Sequence, residues 1–187
     1  MERTLMRTFY IVAMVFTLVV TAGAFTWKYV LTAPPNVPRV IPFIGEDGSE
    51  HIHASMVVMI GDQAVDFCKP EYMLRTPTVH FENNDCTTVH KHASGVTLAY
   101  FLDTIGIRFT NACMGLPDGT TLCSGNENTL RVVVNGATVP VEELTYYNFK
   151  NDDRFLIYFG PESGALLLYR FNQVPFISEE ISIPYEY

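Results

Sequence analysis

The stretch TVHFENNDCTTVHKHASGVTLAYFLDTIG, residues 78–106, contains two strand-like runs and a helix in succession. Thr78–Glu82 and Thr88–Ala93 carry the β-branched and aromatic residues that suit strands, and Asn83-Asn84-Asp85 between them favours a turn. Even-numbered side chains share one face in both runs, so only an even pairing sum keeps like faces together. A five-residue loop then sets Glu82 opposite Thr88 and His80 opposite His90. Beyond the second run, Leu98, Phe101, Leu102 and Ile105 recur at helical spacing, with Ser94 as the expected N-cap and Gly106 where a left-handed residue ends a helix.

Strand signals continue on both sides. Met56–Ile60 is a continuous apolar run followed by Gly61-Asp62 and a second apolar segment through Val65 and Phe67, the signature of a hairpin. Leu130–Val134 turns at Asn135-Gly136, and Arg154–Phe159 is entered through Asn151-Asp152-Asp153. Hairpins, one helix and further strands predict an α+β domain whose mixed sheet is covered on one face by a single helix. No internal repeat of fixed period is visible.

A chain of 187 residues allows one domain with an appendage. Hydrophobic residues at 48% against 17% charged exclude an intrinsically disordered chain, and a formal charge of −8 excludes nucleic acid as a partner. Phe9 to Trp27 is free of charge and, at about 1.5 Å per residue, long enough to span a bilayer core as one helix. Arg3 and Arg7 precede it, so the expected topology keeps the N-terminus in the cytoplasm and exports everything after Lys28. Ala22-Gly23-Ala24 also fits the small-residue pattern of a cleaved signal peptide, which is the alternative reading. Pro34, Pro35, Pro38 and Pro42 make a stiff extended spacer. The expected organisation is an anchor over residues 1–31, a spacer over 32–45, the exported domain over 46–160 and a C-terminal extension over 161–187 that packs as an extended tail on the domain or on a partner.

Four cysteines on the oxidising side of a membrane predict two disulfides. Pro117-Asp118-Gly119 can form a three-residue turn with Gly119 left-handed, which places Cys113 opposite Cys123 and leaves Cys68 for Cys86. No two cysteines have the Cys-x-x-Cys spacing of a redox pair.

All five histidines, His51, His53, His80, His90 and His92, fall between positions 51 and 92. In a strand the His-x-His spacing puts both imidazoles on one face, so His51 with His53 and His90 with His92 each form a chelating pair, and the register above adds His80. Glu50 and Glu82 are near enough in sequence to orient an imidazole or supply an oxygen ligand. An imidazole-rich set favours a copper or zinc ion over calcium or magnesium.

His51-Ile52-His53-Ala54, Val89-His90-Lys91-His92-Ala93-Ser94-Gly95-Val96-Thr97-Leu98, Tyr100-Phe101-Leu102, the Cys113 to Cys123 pair and Val134-Asn135-Gly136 resemble segments of membrane-anchored exported archaeal and bacterial proteins of unassigned function. Some of these are labelled protein-disulfide isomerase, an activity that the missing Cys-x-x-Cys does not support. The hairpin, helix and later strands also resemble the β-grasp fold. The Gly-Gly tail of its sulfur-carrier members is absent, because Gly160 is followed by Pro161.

The first functional expectation is an anchored extracytoplasmic metal-binding module, for metal holding, delivery or electron transfer. The second is a single-span accessory subunit with a protein partner in a membrane enzyme complex, one that itself uses copper in one version of this reading. A third is an enzyme in which a histidine-bound metal activates water with Glu50 or Glu82 as base. The sequence leans against the third, since no catalytic constellation stands out.

Overall fold

The computed structural model describes residues 43–110, 112–161 and 164–177, together with Met6, residues 13–17 and Thr21. The chain divides into two compact units, Met1–Asn36 and Val37–Tyr187. In the first, residues 13–17 are helical, and Thr17 Oγ1 donates to the Ala13 carbonyl at 2.9 Å. Most of the predicted anchor and of the Pro-rich spacer lies outside the described residues. Among those described, no helix is long and apolar enough to cross a membrane.

The second unit is α+β, built on a mixed sheet. Its strands are β1 (Ile52–Ile60), β2 (Gln63–Ala64), β3 (Val79–Glu82), β4 (Asp85–Lys91), β8 (Thr129–Val134), β9 (Ala137–Val139) and β10 (Arg154–Gly160). Three short strands between them, β5 (Arg108–Phe109), β6 (Cys113–Gly115) and β7 (Thr121–Cys123), form a separate antiparallel sheet. The order across the main sheet is β3-β4-β1-β10-β8-β9, with β2 beside the far end of β1. The two central strands β1 and β10 are parallel, and every other pair in the sheet is antiparallel. Their burial on both faces matches the near-continuous apolar runs of Met56–Ile60 and Phe155–Phe159.

One face of the sheet is covered by helix α1 (Leu98–Thr104). Its Leu98, Phe101 and Leu102 pack against Ala54, Met56 and Val58 of β1, Val132 and Val134 of β8, and Phe155 and Ile157 of β10 in one buried cluster. The N-cap is Thr97, whose side chain accepts from the Tyr100 amide at 3.3 Å, and not the expected Ser94. Ser94 is engaged elsewhere: its carbonyl accepts from Gly45 N and its amide donates to Ser49 Oγ. The C-terminus closes as expected at Gly106, with φ +82°. Gly106 N donates to Asp103 O and Ile107 N to Leu102 O, a Schellman motif with buried Ile107 against buried Leu102.

The other face carries a second helix that the sequence reading takes for an extended tail. Helix α2 (Gly164–Phe171) lays Leu166, Leu167 and Phe171, with Val174 beyond its end, on Val57 and Met59 of β1, Val133 of β8, and Leu156 and Tyr158 of β10. Arg154 fixes its C-terminal end: the guanidinium donates to the carbonyls of Phe171 and Val174, and lies over the Phe171 and Phe176 rings. The described part of the C-terminal extension therefore belongs to the domain, and the sheet has a helix on each face.

Both disulfides are present, Cys68 with Cys86 and Cys113 with Cys123, and no cysteine is free. Gly119 is left-handed with φ +88°, and Cys113 stands opposite Cys123 across β6 and β7.

Candidate metal centre

Side chains of odd number on β1 share a sheet face with even-numbered ones on β3 and β10 and with Thr88 and His90 of β4. Helix α2 covers the part of this face formed by Val57, Met59, Leu156 and Tyr158. At the opposite end of β1, the same face carries His51 and His53, and the neighbouring strands bring His80, His90 and His92 beside them.

The register is the reason. His53 pairs with His90 across β1 and β4, and His80 pairs with His90 across β3 and β4. The turn between β3 and β4 is tighter than the five-residue loop expected: Asn83 and Asn84 take φ +56° and +59° in a two-residue connection, and Glu82 faces Asp85 instead of Thr88. An irregularity between His80 and Glu82 absorbs the difference and restores His80 opposite His90. Asp85 Oδ1 holds that irregularity, accepting from the amides of Thr87 and Thr88 and from the Thr87 hydroxyl, each at 3.0 Å. Burial alone would raise the Asp85 pKa, but these bonds outweigh it and lower it.

All five imidazoles converge. Ring centroids lie 4.5 Å apart for His53 and His90, 4.7 Å for His51 and His53, and 5.0 Å for both His51 with His92 and His80 with His92. Glu82 stands among them, with Oε2 3.4 Å from His80 Nε2 and Oε1 3.3 Å from His90 Nδ1. One ligand atom each from His80, Glu82 and His92 falls within 4.8 Å of the others, and this group can hold a metal ion.

His80 is oriented for such a role. Its Nδ1 lies 2.7 Å from the Thr76 carbonyl, which can only accept, so Nδ1 carries the proton and, in the neutral ring, Nε2 is left with a lone pair. That lone pair meets a carboxylate oxygen of Glu82. A proton on Nε2 or a metal ion bound by both groups would satisfy this pair. Donors about 2.0–2.1 Å from a tetrahedral ion are about 3.3 Å apart, close to the separation found.

Burial disfavours positive charge on three of the five imidazoles. Burial pushes the His90 imidazole down to about 4, with His53, His80 and His92 adding to the effect and Glu82 opposing it. Burial likewise lowers His53, assisted by His51, and lowers His92, assisted by His80 and His51. His90 is only 3% exposed, and its Nδ1 has no hydrogen-bond partner despite the nearby carboxylate. Neutral imidazoles are the form that ligates metals.

Glu50, the other carboxylate expected beside the histidines, is turned to a different task. Its Oε2 lies 2.7 Å from Nζ of Lys91. Lys91 sits between His90 and His92, so its side chain enters the opposite face of β4, where it is 1% exposed. The ammonium donates to Asn148 Oδ1 at 2.6 Å and to the Phe149 carbonyl at 3.0 Å. Two hydrogen bonds and the negative charge of Glu50 compensate this buried cation. It clamps the strand that presents the two imidazoles.

Comparison with family models, curated proteins and solved structures finds no match.

The chemistry of the site is therefore read from its donors. Two imidazoles and a carboxylate leave at least one position of a four-coordinate ion open, as in sites that exchange a ligand or water. Sequence reasoning missed the Thr76 carbonyl, for which no signal exists. It also passed over Lys91, whose inward position follows from the same alternation that pairs its histidine neighbours.

Proposed function

We propose that this domain is a metal-binding module that holds a copper or zinc ion at His80, Glu82 and His92, beside the further imidazoles of His51, His53 and His90. The observation that carries this reading is the convergence of His80, Glu82 and His92, one ligand atom of each within 4.8 Å of the others, with His80 Nε2 3.4 Å from a Glu82 oxygen. The lowered pKa values of His53, His90 and His92 support it, since such rings bind metal without first losing a proton. An open position suits metal holding, delivery or electron transfer. We read the strand order, with parallel central strands and α1 across one face, as a β-grasp-like arrangement. We also propose that residues 1–31 anchor the domain to the cell membrane on its extracytoplasmic side, a reading supported by the two disulfides and by the N-terminal arginines.

The full-length chain, purified in detergent without chelators, should carry copper or zinc, and the H80A/H92A variant should lose the ion these residues hold while keeping its circular dichroism spectrum. Equal metal content in that variant places the ligands elsewhere and overturns the assignment. A second reading, an accessory subunit of a membrane complex, is favoured by the exposed Leu168, Tyr169 and Phe176 around α2. A stoichiometric partner copurifying from native membranes would support it.

A further inference from the structure

Five imidazoles and a carboxylate are more donors than one four-coordinate ion uses. His80, Glu82 and His92 form one group. His51 and His53 form another: their Nε2 atoms lie 3.0 Å apart, joined in the metal-free chain by a hydrogen bond that an ion would replace, with His51 at the exposed rim and His53 half-buried behind it. Two nitrogens about 2.05 Å from a shared ion and 3.0 Å apart subtend about 95° at it, the cis angle of a tetragonal site. The pair is held in place by backbone. His53 N–H donates to Asn151 Oδ1 at 3.0 Å, and its carbonyl accepts from Asp152 N at 2.9 Å, so the strand end that carries it is tied to the turn before β10.

Further imidazole donors border that rim. The buried His90 ring lies 4.5 Å from His53 by centroid, and His90 Nδ1 has no hydrogen-bond partner. The ring of His51 stands 5.0 Å from that of His92, so the outer pair adjoins the inner group directly.

We propose that the domain takes two metal ions, an inner one on His80, Glu82 and His92 and a second, solvent-facing one on His51 and His53. This rests on the metal-binding reading above and deepens it. An ion arriving from solvent meets the exposed pair first, and the His51–His92 contact offers a short transfer to the inner group.

The test counts ions on the full-length chain, loaded with Cu²⁺ and then with Zn²⁺, dialysed, and measured by mass spectrometry alongside chelator competition. The expected result is two ions per wild-type chain and one per H51A/H53A chain, the remaining ion keeping its affinity within a few-fold. With two Cu²⁺ bound, the paramagnetic resonance spectrum should show coupling that is absent from H51A/H53A. H51A alone, at an exposed position, serves if the double variant loses its circular dichroism spectrum, and it should bind the second ion at least tenfold more weakly. One ion in the wild type, whether kept or lost in H51A/H53A, overturns the second position and leaves the metal-binding reading standing. Two ions in both chains also overturn it. No ion in the wild type overturns the metal-binding reading as well.

Discussion

Lys91 Nζ and Glu50 Oε2 are 2.7 Å apart on the face of β4 opposite the imidazoles of His90 and His92. A buried ammonium thus sets the strand whose other face ligates. Lys91→Met keeps the aliphatic stem but removes the counter-charge of Glu50 and the donor to Asn148 and Phe149. Removing one partner of a buried ion pair typically costs about 3–5 kcal/mol, and Glu50 keeps enough solvent contact to reduce this to about 2–4 kcal/mol. Urea unfolding of the metal-free chain should show that loss. A change below about 0.5 kcal/mol would mean that the ammonium does not hold the strand.

Glu82 faces His80 and His90 at once. Glu82→Gln preserves shape and removes the charge, so metal affinity should fall about 10- to 100-fold while the fold persists. Chelator competition measures it. Unchanged affinity would remove Glu82 from the centre and return its role to hydrogen bonding.

The parity of the histidines was legible because strands alternate with a period of two. His51 with His53, and His90 with His92, share faces whatever the loops do. The pairing of His80 with His90 was also reached, although by a loop that does not exist. Two consecutive asparagines adopted the left-handed conformation, and the irregularity held by Asp85 restored the register. Tertiary commitments were not legible. Ser94 is a good N-cap by type but is bound to Gly45 and Ser49, so Thr97 caps the helix. Glu50 was assigned to the histidines by proximity in sequence and went to a lysine on the other face. Helix α2 did leave a signal, since Leu167, Phe171 and Val174 recur at i, i+4 and i+7. A run of leucines of only eight helical residues reads equally well as an extended segment.

The two disulfides should separate stability from ligation. They close loops of 18 and 10 residues, and the chain-entropy model gives each about 3 kcal/mol. Cys86 lies in β4, the strand of His90, whereas Cys113 and Cys123 join strands of the separate three-stranded sheet. Both C68S/C86S and C113S/C123S should lower the unfolding free energy, but only C68S/C86S should weaken metal binding. Equal loss of affinity in both would show that the histidine face depends on global stability alone.

Acid should destabilise the metal-free chain in two windows. The His90 imidazole has a folded pKa of about 4 against an unfolded reference of about 6.5. As pH falls below about 6.5 the unfolded chain takes up the proton first, so the stability this group contributes is complete above that value. It is lost as pH approaches about 4 and does not change further below it. His53 and His92, lowered in the same direction, add to the first window. Asp85 opens the second: its folded pKa lies below 3.8, so its contribution is present above that value and is lost as pH falls through the folded one. In chelator, urea midpoints measured from pH 7.5 to pH 3 should therefore decline first between about 6.5 and 4. His90→Asn should make that first decline shallower, leaving the share of His53 and His92, and should keep the lower one in place. A wild-type profile flat between about 6.5 and 4 would mean that these imidazoles titrate normally, and hence that the cluster is open to water in solution.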